Sequence, residues 1–114
     1  MNKKVRALEL RIERTKRKLS SIGELRPGSL SQQYSVCGKH TCRCKADPSQ
    51  RHGPYYQLGW TRKRKSTTRF VRGSELATVR KQLKNYAALR SLVDDWIELS
   101  IQLCELKRSE AKKT

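Results

Sequence analysis

The sequence is poor in the residues from which a globular core is built. Among its 114 residues there is one Phe, aromatic residues make up 6%, and Leu, Ile, Val and Phe together number 23. Acidic residues are also scarce, with 10 Asp and Glu against 27 Lys and Arg, which gives a formal net charge of +17. This composition lies at the border of intrinsic disorder. It excludes a large buried core, so we expect the fold to depend on long amphipathic elements, a partner chain or a metal ion.

What the chain lacks also excludes several classes of protein. No stretch approaches the ~18 consecutive apolar residues of a transmembrane helix. The basic start, Met1 to Lys4, is not followed by an apolar signal region, so we expect a cytoplasmic protein, whose clustered cysteines more often bind metal than form disulfides. Carboxylates that could converge on a catalytic metal are few. We therefore expect no catalytic residues and no enzymatic activity.

Gly and Pro divide the chain into three parts. Residues 27 to 73 hold all three Pro and five of the six Gly, and the flanking parts contain only Gly23. This distribution predicts an α+β protein with two long antiparallel helices, paired as a coiled-coil-like hairpin, and a small central zinc-bound β-hairpin head. The predicted domains are an N-terminal basic helix over residues 1–24, a Cys-rich head over 25–73 and a long C-terminal helix over 74–112.

Both flanking parts carry a heptad seam, in which apolar residues recur in steps of three and four. The seams comprise Val5, Leu8, Ile12, Thr15, Leu19 and Ile22, and then Leu89, Leu92, Trp96, Leu99, Leu103 and Leu106. An irregular step between Tyr86 and Leu89 marks a stammer, where a helix overwinds or breaks. We expect the seams to pair within one chain, with pairing to a second copy as the alternative, and a homodimer through the long helices in addition. Cys104, beside the second seam, is expected to be a small buried hydrophobe.

Three cysteines lie within eight residues of the central part, and a histidine follows them. Cys₃His is a common tetrahedral zinc set. Cys42 and Cys44 are too close in sequence for an easy mutual disulfide, but both can bind one ion if the chain turns sharply. The predicted ligands of a structural zinc are Cys37, Cys42, Cys44 and His52, with His40 as the alternative fourth ligand. Three reduced thiols in a small core are the alternative to metal binding.

The aromatic segment of the central part has the pattern of a β-hairpin. Two stretches rich in aromatic and β-branched residues flank Arg62-Lys63-Arg64-Lys65, which predicts a hairpin with a four-residue basic tip. Alternate residues from Tyr56 to Trp60 share one face of the first strand. We expect Thr68 and Phe70 of the second strand to face the same core.

The positive charge is concentrated in the first helix and the head. The net charge is +6 over residues 1–26, +8 over 27–75 and +3 over 76–114. Such an excess indicates a polyanionic partner, and a basic ribbon fits a major groove or lies along phosphates. We therefore predict a nucleic-acid-binding protein, with DNA favoured over RNA and no membrane partner. The predicted contact residues are Arg43, Lys45, Arg51, Arg62, Lys63, Arg64, Lys65 and Arg69. The alternative function is a coiled-coil adaptor that recruits a protein partner.

Three motifs of the chain also occur together in a known family. They are Leu25-Arg26-Pro27-Gly28-Ser29-Leu30, Cys37-Gly38-Lys39 with Cys42-Arg43-Cys44, and His52-Gly53-Pro54-Tyr55-Tyr56. They resemble a family of small basic bacterial and archaeal proteins that is catalogued only as a domain of unknown function, with some members labelled transposase-like. The resemblance covers roughly residues 25 to 100 and implies family membership without an activity. It also implies His52, rather than His40, as the fourth ligand.

Overall fold

The computed structural model describes residues 2–35, 41–47 and 50–113. Its elements are α1 (Lys3–Ser20), β1 (Ser29–Ser35), a 3₁₀ turn (Arg43–Lys45), β2 (His52–Arg62), β3 (Lys65–Val71), a second 3₁₀ turn (Gly73–Glu75) and α2 (Leu76–Lys113). The fold is therefore α+β, with a three-stranded antiparallel sheet, a short N-terminal helix and a long C-terminal helix. Within the described residues, no helix has the length and apolar content needed to cross a bilayer. The chain forms two compact units, Met1–Leu25 with Lys84–Thr114, and Arg26–Leu83.

The first unit is helical, and α1 begins at a side-chain cap. The carboxamide oxygen of Asn2 accepts a hydrogen bond from the backbone N–H of Lys4 at 2.8 Å, which satisfies one of the unpaired donors of the first turn. All six residues of the first predicted seam are buried or half-buried, with Ile12 and Thr15 the most buried. The Thr15 hydroxyl donates to the carbonyl of Arg11 at 3.0 Å, so its burial leaves no unpaired polar group.

Contacts between α1 and the later part of α2 run in opposite order along the two helices. Near the start of α1, the Asn2 amide donates to the Glu110 carboxylate. Near the end of α1, the Lys16 ammonium lies 5.2 Å from the centroid of the Trp96 ring, within the range of a cation–π contact. The two helices are therefore antiparallel within this unit. On α2, all six residues of the second predicted seam are buried or half-buried, and Leu99 is the most buried.

Helix α2 departs from the sequence pattern at two places. It is assigned as one helix through residues 86–89, where the seam carries its irregular step. Cys104 is exposed, so the expectation that it is buried is wrong. The reason is its position on the helix, because it falls on the side that carries Ile97 and Ile101, away from the Leu99 seam, and these two side chains are each 53% exposed.

The second unit is a sheet covered on one face by the start of α2. Leu58 of the central strand is fully buried and forms the core with Val71 and Val79. Leu76 and Leu83 share the helix face of Val79, because residues three and four apart stack along a helix. They pack against this cluster together with half-buried residues of the sheet. One sheet face is therefore the core of the unit, while the other carries mostly exposed residues.

The turn between β2 and β3 sets which residues share each face. The connection contains only Lys63 and Arg64, so that Leu58 pairs with Arg69 and Gly59 with Thr68. Since directly paired residues point to the same side, Thr68 and Phe70 lie on the face opposite Leu58. The expectation that these two residues face the core is wrong, and Phe70 is 68% exposed.

Strand β1 was not expected from the sequence. It pairs with β2 from Ser29 opposite Gly59 to Ser35 opposite His52, with an irregularity between Gln33 and Ser35. Its residues, Ser-Leu-Ser-Gln-Gln-Tyr-Ser, include one aliphatic side chain, so the alternation that usually reveals a strand is absent. The pairing makes β2 the central strand.

Candidate nucleic-acid interface and metal site

Two of the four predicted zinc ligands come together in the structure. The Cys42 sulfur lies 3.2 Å from Nε2 of His52. Cys42 directly precedes the 3₁₀ turn over Arg43–Lys45, whose last backbone N–H donates to the Cys42 carbonyl at 3.4 Å. His52 begins β2 and pairs with Ser35. A local turn and a strand pairing therefore bring together two residues that are ten positions apart.

This distance is compatible with two ligands of one ion. Zn–S and Zn–N bonds of about 2.3 and 2.0 Å at a tetrahedral angle separate the two donor atoms by about 3.5 Å. Cys37, His40 and the side chain of Cys44 lie outside the described residues. Within the described part of the chain, no group of three or more His, Cys, Asp or Glu side chains could hold a metal ion.

The tip of the β2–β3 hairpin consists of four consecutive basic residues. Arg62 and Lys65 face each other as the last pair of the ladder. Lys63 and Arg64 form the turn and both have positive φ, 51° and 66°. Two successive residues in this region are typical of a type I′ turn, which favours Asn-Gly, because long side chains rarely adopt positive φ. Two features therefore destabilise the tip. Its positive charges lie close together, and Lys63 and Arg64 adopt a backbone conformation that is unfavourable for residues with long side chains.

The remaining predicted contact residues occupy two other places in the second unit. Arg43 and Lys45 are exposed on the 3₁₀ turn that follows Cys42, and Arg51 is exposed next to His52. Arg69 lies opposite Leu58 on the core side of the sheet. Its guanidinium reaches 3.9 Å from the Glu75 carboxylate, and both side chains are substantially exposed, so the pair is weak.

Sequence reasoning missed the face of the sheet that points away from the core. We call it the uncharged face, because none of its residues carries a charge. It consists of Ser29, Ser31, Gln33, Tyr55, Gln57, Gly59, Thr61, Ser66, Thr68 and Phe70. Only Gln57 and Gly59 are half-buried, and the other eight are exposed. The face could not be predicted because β1 was not predicted as a strand. Its Ser and Gln residues belong to the face only through the pairing of β1 with β2.

Polar side chains on the uncharged face are held in place by their neighbours. The side-chain amide of Gln33 donates to the side-chain oxygen Oε1 of Gln57 at 3.0 Å. The hydroxyls of Thr61 and Ser66 are 2.8 Å apart across the β2–β3 pair. Such contacts limit the rotamers that each side chain samples, so the face presents an ordered set of amides and hydroxyls.

A depression of about 430 Å³ lies at Gly59, and it is lined by residues of the uncharged face together with Gly28, Trp60 and Thr67. Ser29 and Thr68 stand on either side of this glycine in the register. The φ of Gly59 lies outside the left-handed range, and a Cβ added there would meet the Thr68 Cγ2 at 3.6 Å, an ordinary van der Waals distance. The fold therefore does not require glycine at this position.

A family model described as a domain of unknown function (DUF6788) matches residues 5–81. The chain belongs to this family. The predicted membership of an uncharacterised family is thereby confirmed, although the match starts earlier and ends earlier than the range of 25 to 100. No curated protein and no solved structure matches the chain.

The DUF6788 match includes every residue of the candidate sites in the second unit. Cys42, His52, the basic tip and the uncharged face all lie within residues 5–81. The exposed apolar residues Val93, Ile97 and Ile101 of α2 lie beyond it. Ile97 and Ile101 border a groove of about 370 Å³ that Trp96 and Cys104 also line.

Proposed function

We propose that this protein is a non-enzymatic, zinc-stabilised nucleic-acid-binding protein, with DNA as the favoured partner. The observation that carries this proposal is the basic tip, where four successive Lys and Arg residues occupy a two-residue turn and the pair that closes it. Positive φ at a non-glycine residue costs about 1 kcal/mol or more. Like charges that face each other across two strands destabilise the hairpin further. A bound polyanion would neutralise this charge. Binding of a polyanion would therefore explain why four basic residues occupy an unfavourable turn.

The electrostatic setting of the tip supports the same partner. Residues 26–83 contain thirteen Lys and Arg but only two acids, Asp47 and Glu75. Of these acids, Glu75 lies near Arg69 and none of the tip residues pairs with it. Binding a nucleic acid releases the counterions condensed on its phosphates, and each basic contact adds to the dependence of affinity on salt.

Zinc is proposed as a structural component that holds the Cys-rich segment against the sheet. The proximity of Cys42 and His52 supports it, as does the sequence position of Cys37, two residues after Ser35, which pairs with His52. Cys37 and Cys44 complete the proposed set. Zinc thiolates persist in a reducing compartment, so we place the protein in the cytoplasm. We also propose an association with mobile elements, which would agree with a DNA partner.

The proposal is tested by measuring affinity for a DNA duplex between about 50 and 200 mM salt. Wild-type affinity should fall steeply over this range. The double variant Lys63→Gln with Arg64→Gln should bind more weakly and should lower the slope of log affinity against log salt by about 2, because two phosphate contacts are lost.

The matched control removes the same charge from exposed sites on α2, by Lys107→Gln with Lys112→Gln. If this control weakens binding as much as the tip variant, the tip is not the binding site. If the wild-type protein binds neither duplex nor single strands at about 50 mM salt, the proposed function is wrong.

The metal is tested by zinc stoichiometry of the purified protein. The proposed ligand set predicts one zinc per chain, lost in Cys42→Ser and His52→Ala and retained in His40→Ala. If His40→Ala loses zinc and His52→Ala retains it, the fourth ligand is His40. Retention in both histidine variants would exclude a Cys₃His site.

The second candidate function is that of a helical adaptor, for which the exposed apolar residues of α2 are the specific observation. Val93, Ile97 and Ile101 lie on one side of the helix, and Ile97 and Ile101 border the groove beside Trp96. Residues 93–105 contain four acids and no Lys or Arg. Two copies of this strongly basic chain would therefore repel each other less at this segment than elsewhere. We propose that a second copy of the chain covers these residues.

Sedimentation of the pure protein, with and without nucleic acid, separates the two candidates. A homodimer through α2 should persist at high salt, because apolar burial is not screened. Ile97→Glu with Ile101→Glu should yield monomers, while Ser109→Glu, at an exposed site of the same helix, should not. A wild-type protein that is monomeric at concentrations well above those of the binding experiments would contradict the dimer.

A further inference from the structure

The uncharged face is unusual for a chain of this composition. The protein carries a net charge of +17, yet none of the ten residues on this face of the sheet is charged. Solvent-facing sides of antiparallel sheets usually carry charged residues, which keep them soluble and prevent edge pairing. Here basic residues stand at both ends of the hairpin, with Lys63 and Arg64 at the turn and Arg51 and Arg72 at the other end. An uncharged polar surface is therefore bordered by positive charge.

Gly59 provides the second observation. It stands in the middle of the longest strand, where glycine weakens a sheet because it has no side chain to pack and loses much conformational entropy on folding. Neither its φ nor its surroundings require glycine. A glycine in such a place often marks a point where a ligand approaches the backbone closely, and the depression at Gly59 is lined by four other residues of the uncharged face, Ser29, Thr61, Ser66 and Thr68.

We propose that the uncharged face enters the major groove of B-form DNA and reads the edges of the base pairs, while the basic residues at both ends of the hairpin contact phosphates. This inference rests on the proposed nucleic-acid-binding function and adds sequence recognition to it. Phosphate contacts set orientation and affinity, whereas contacts to base edges provide specificity.

The spacing of the three strands is compatible with this groove. Adjacent strands are about 5 Å apart, so the backbones of β1 and β3 lie about 10 Å apart on either side of β2. The major groove of B-DNA is about 12 Å wide. The major groove of A-form RNA is deep and too narrow for side chains to read, so the proposal selects duplex DNA.

The side chains of the face match the chemistry of base edges. Gln is a bidentate partner of adenine, Ser and Thr hydroxyls bond to several bases, and aromatic or methyl groups contact the methyl of thymine. Gln57 is oriented by Gln33, and Phe70, which pairs with Gln57, is the most exposed large apolar residue of the sheet. Gly59 next to them would allow a base edge to approach the strand backbone.

The deciding variant is Gly59→Thr, which fills the depression. Because Thr has a high strand preference and an added Cβ meets no close contact, this variant should be at least as thermally stable as the wild type. The wild-type protein would first be used to select duplexes from a randomised pool. Affinities for the selected duplex and for a scrambled duplex of the same composition would then be compared.

The expected result is that the wild type prefers the selected duplex by at least about tenfold, and that Gly59→Thr loses most of this preference while it binds the scrambled duplex with unchanged affinity and salt slope. The tip variant Lys63→Gln with Arg64→Gln should instead weaken binding to both duplexes by a similar factor. Gln57→Ala, which shortens a half-buried side chain of this face, provides a second test and should also reduce the preference.

Three outcomes would overturn the inference. If the wild type binds duplexes but selects no sequence, the face does not read bases, and the proposed function stands. If it selects only RNA or single strands, the groove assignment is wrong, and stacking on Tyr55 and Phe70 replaces it. If Gly59→Thr and Gln57→Ala both fold and keep the full preference, other residues read the sequence. Failure to bind any nucleic acid would instead contradict the proposed function.

Discussion

Gly28 lies so close to Gly59 that a Cβ at position 28 would stand 2.7 Å from the Gly59 carbonyl oxygen. Gly28 also has a φ of +135°, a conformation that L side chains rarely adopt. It immediately precedes β1, so the contact fixes the point at which β1 meets the centre of β2. The position of β1, and with it one third of the uncharged face, depends on a residue without a side chain.

Gly28→Ala is expected to destabilise the protein by about 2 kcal/mol or more, because it adds both backbone strain and a steric conflict with another strand. Chemical denaturation of the variant and the wild type measures the difference. Gly73→Ala is the matched control, since a Cβ there meets nothing within 4 Å. Equal losses in the two variants would mean that the close approach of Gly28 to β2 does not determine stability.

Leu58→Ala is expected to destabilise the protein by about 2 to 5 kcal/mol, because Leu58 is fully buried and its removal leaves a cavity between the sheet and α2. Phe70→Ala removes a larger side chain from the exposed face of the same hairpin and should cost much less. Thermal denaturation compares the two. A larger loss in Phe70→Ala would show that the other face of the sheet is the buried one.

Lys63→Asn with Arg64→Gly is expected to stabilise the hairpin by about 1 kcal/mol, because Asn-Gly is favoured in a turn with two positive φ values. The control is Lys63→Gln with Arg64→Gln, which removes the same charges and keeps the disfavoured backbone. The difference in midpoint temperature between these two variants isolates the conformational part. No difference would argue that the turn relaxes to another geometry in solution.

Removal of zinc with a chelator is expected to lower the midpoint temperature of the wild-type protein, since a bound structural metal stabilises only the folded state. Cys42→Ser, which lacks a proposed ligand, should melt near the chelated wild type and should not respond to the chelator. Differential scanning calorimetry with and without added zinc measures both effects. A wild-type midpoint that does not change on chelation would contradict a structural role for the metal.

Local periodicity determines the helices and the core side of the hairpin. The steps of three and four place the seam residues on one side of α1 and of α2, with Ile22 just beyond the end of α1, and all twelve are buried or half-buried. The same reasoning identified Leu58 as a core residue, because alternation along a single strand follows from the sequence alone. The α+β class follows from these two patterns.

Sequence reasoning failed where the answer depends on pairing between distant segments. The face occupied by Phe70 depends on the register that the two-residue turn sets between β2 and β3, and an error of one position moves every side chain to the other face. The strand β1 is visible only through its pairing with β2, because Leu30 is its only aliphatic residue. Exposure of Cys104 depends on which side of α2 the first helix covers.

The net charge, the helical seams, the basic run at residues 62–65 and the cluster of Cys and His residues follow from the amino-acid sequence. Strand pairing brings Cys42 next to His52 and combines residues from three strands into one uncharged face. The physical reason is the separation in sequence of the residues that interact. Helical period and charge are properties of neighbouring residues, whereas a face or a ligand pair exists only after strand register joins segments far apart in the chain.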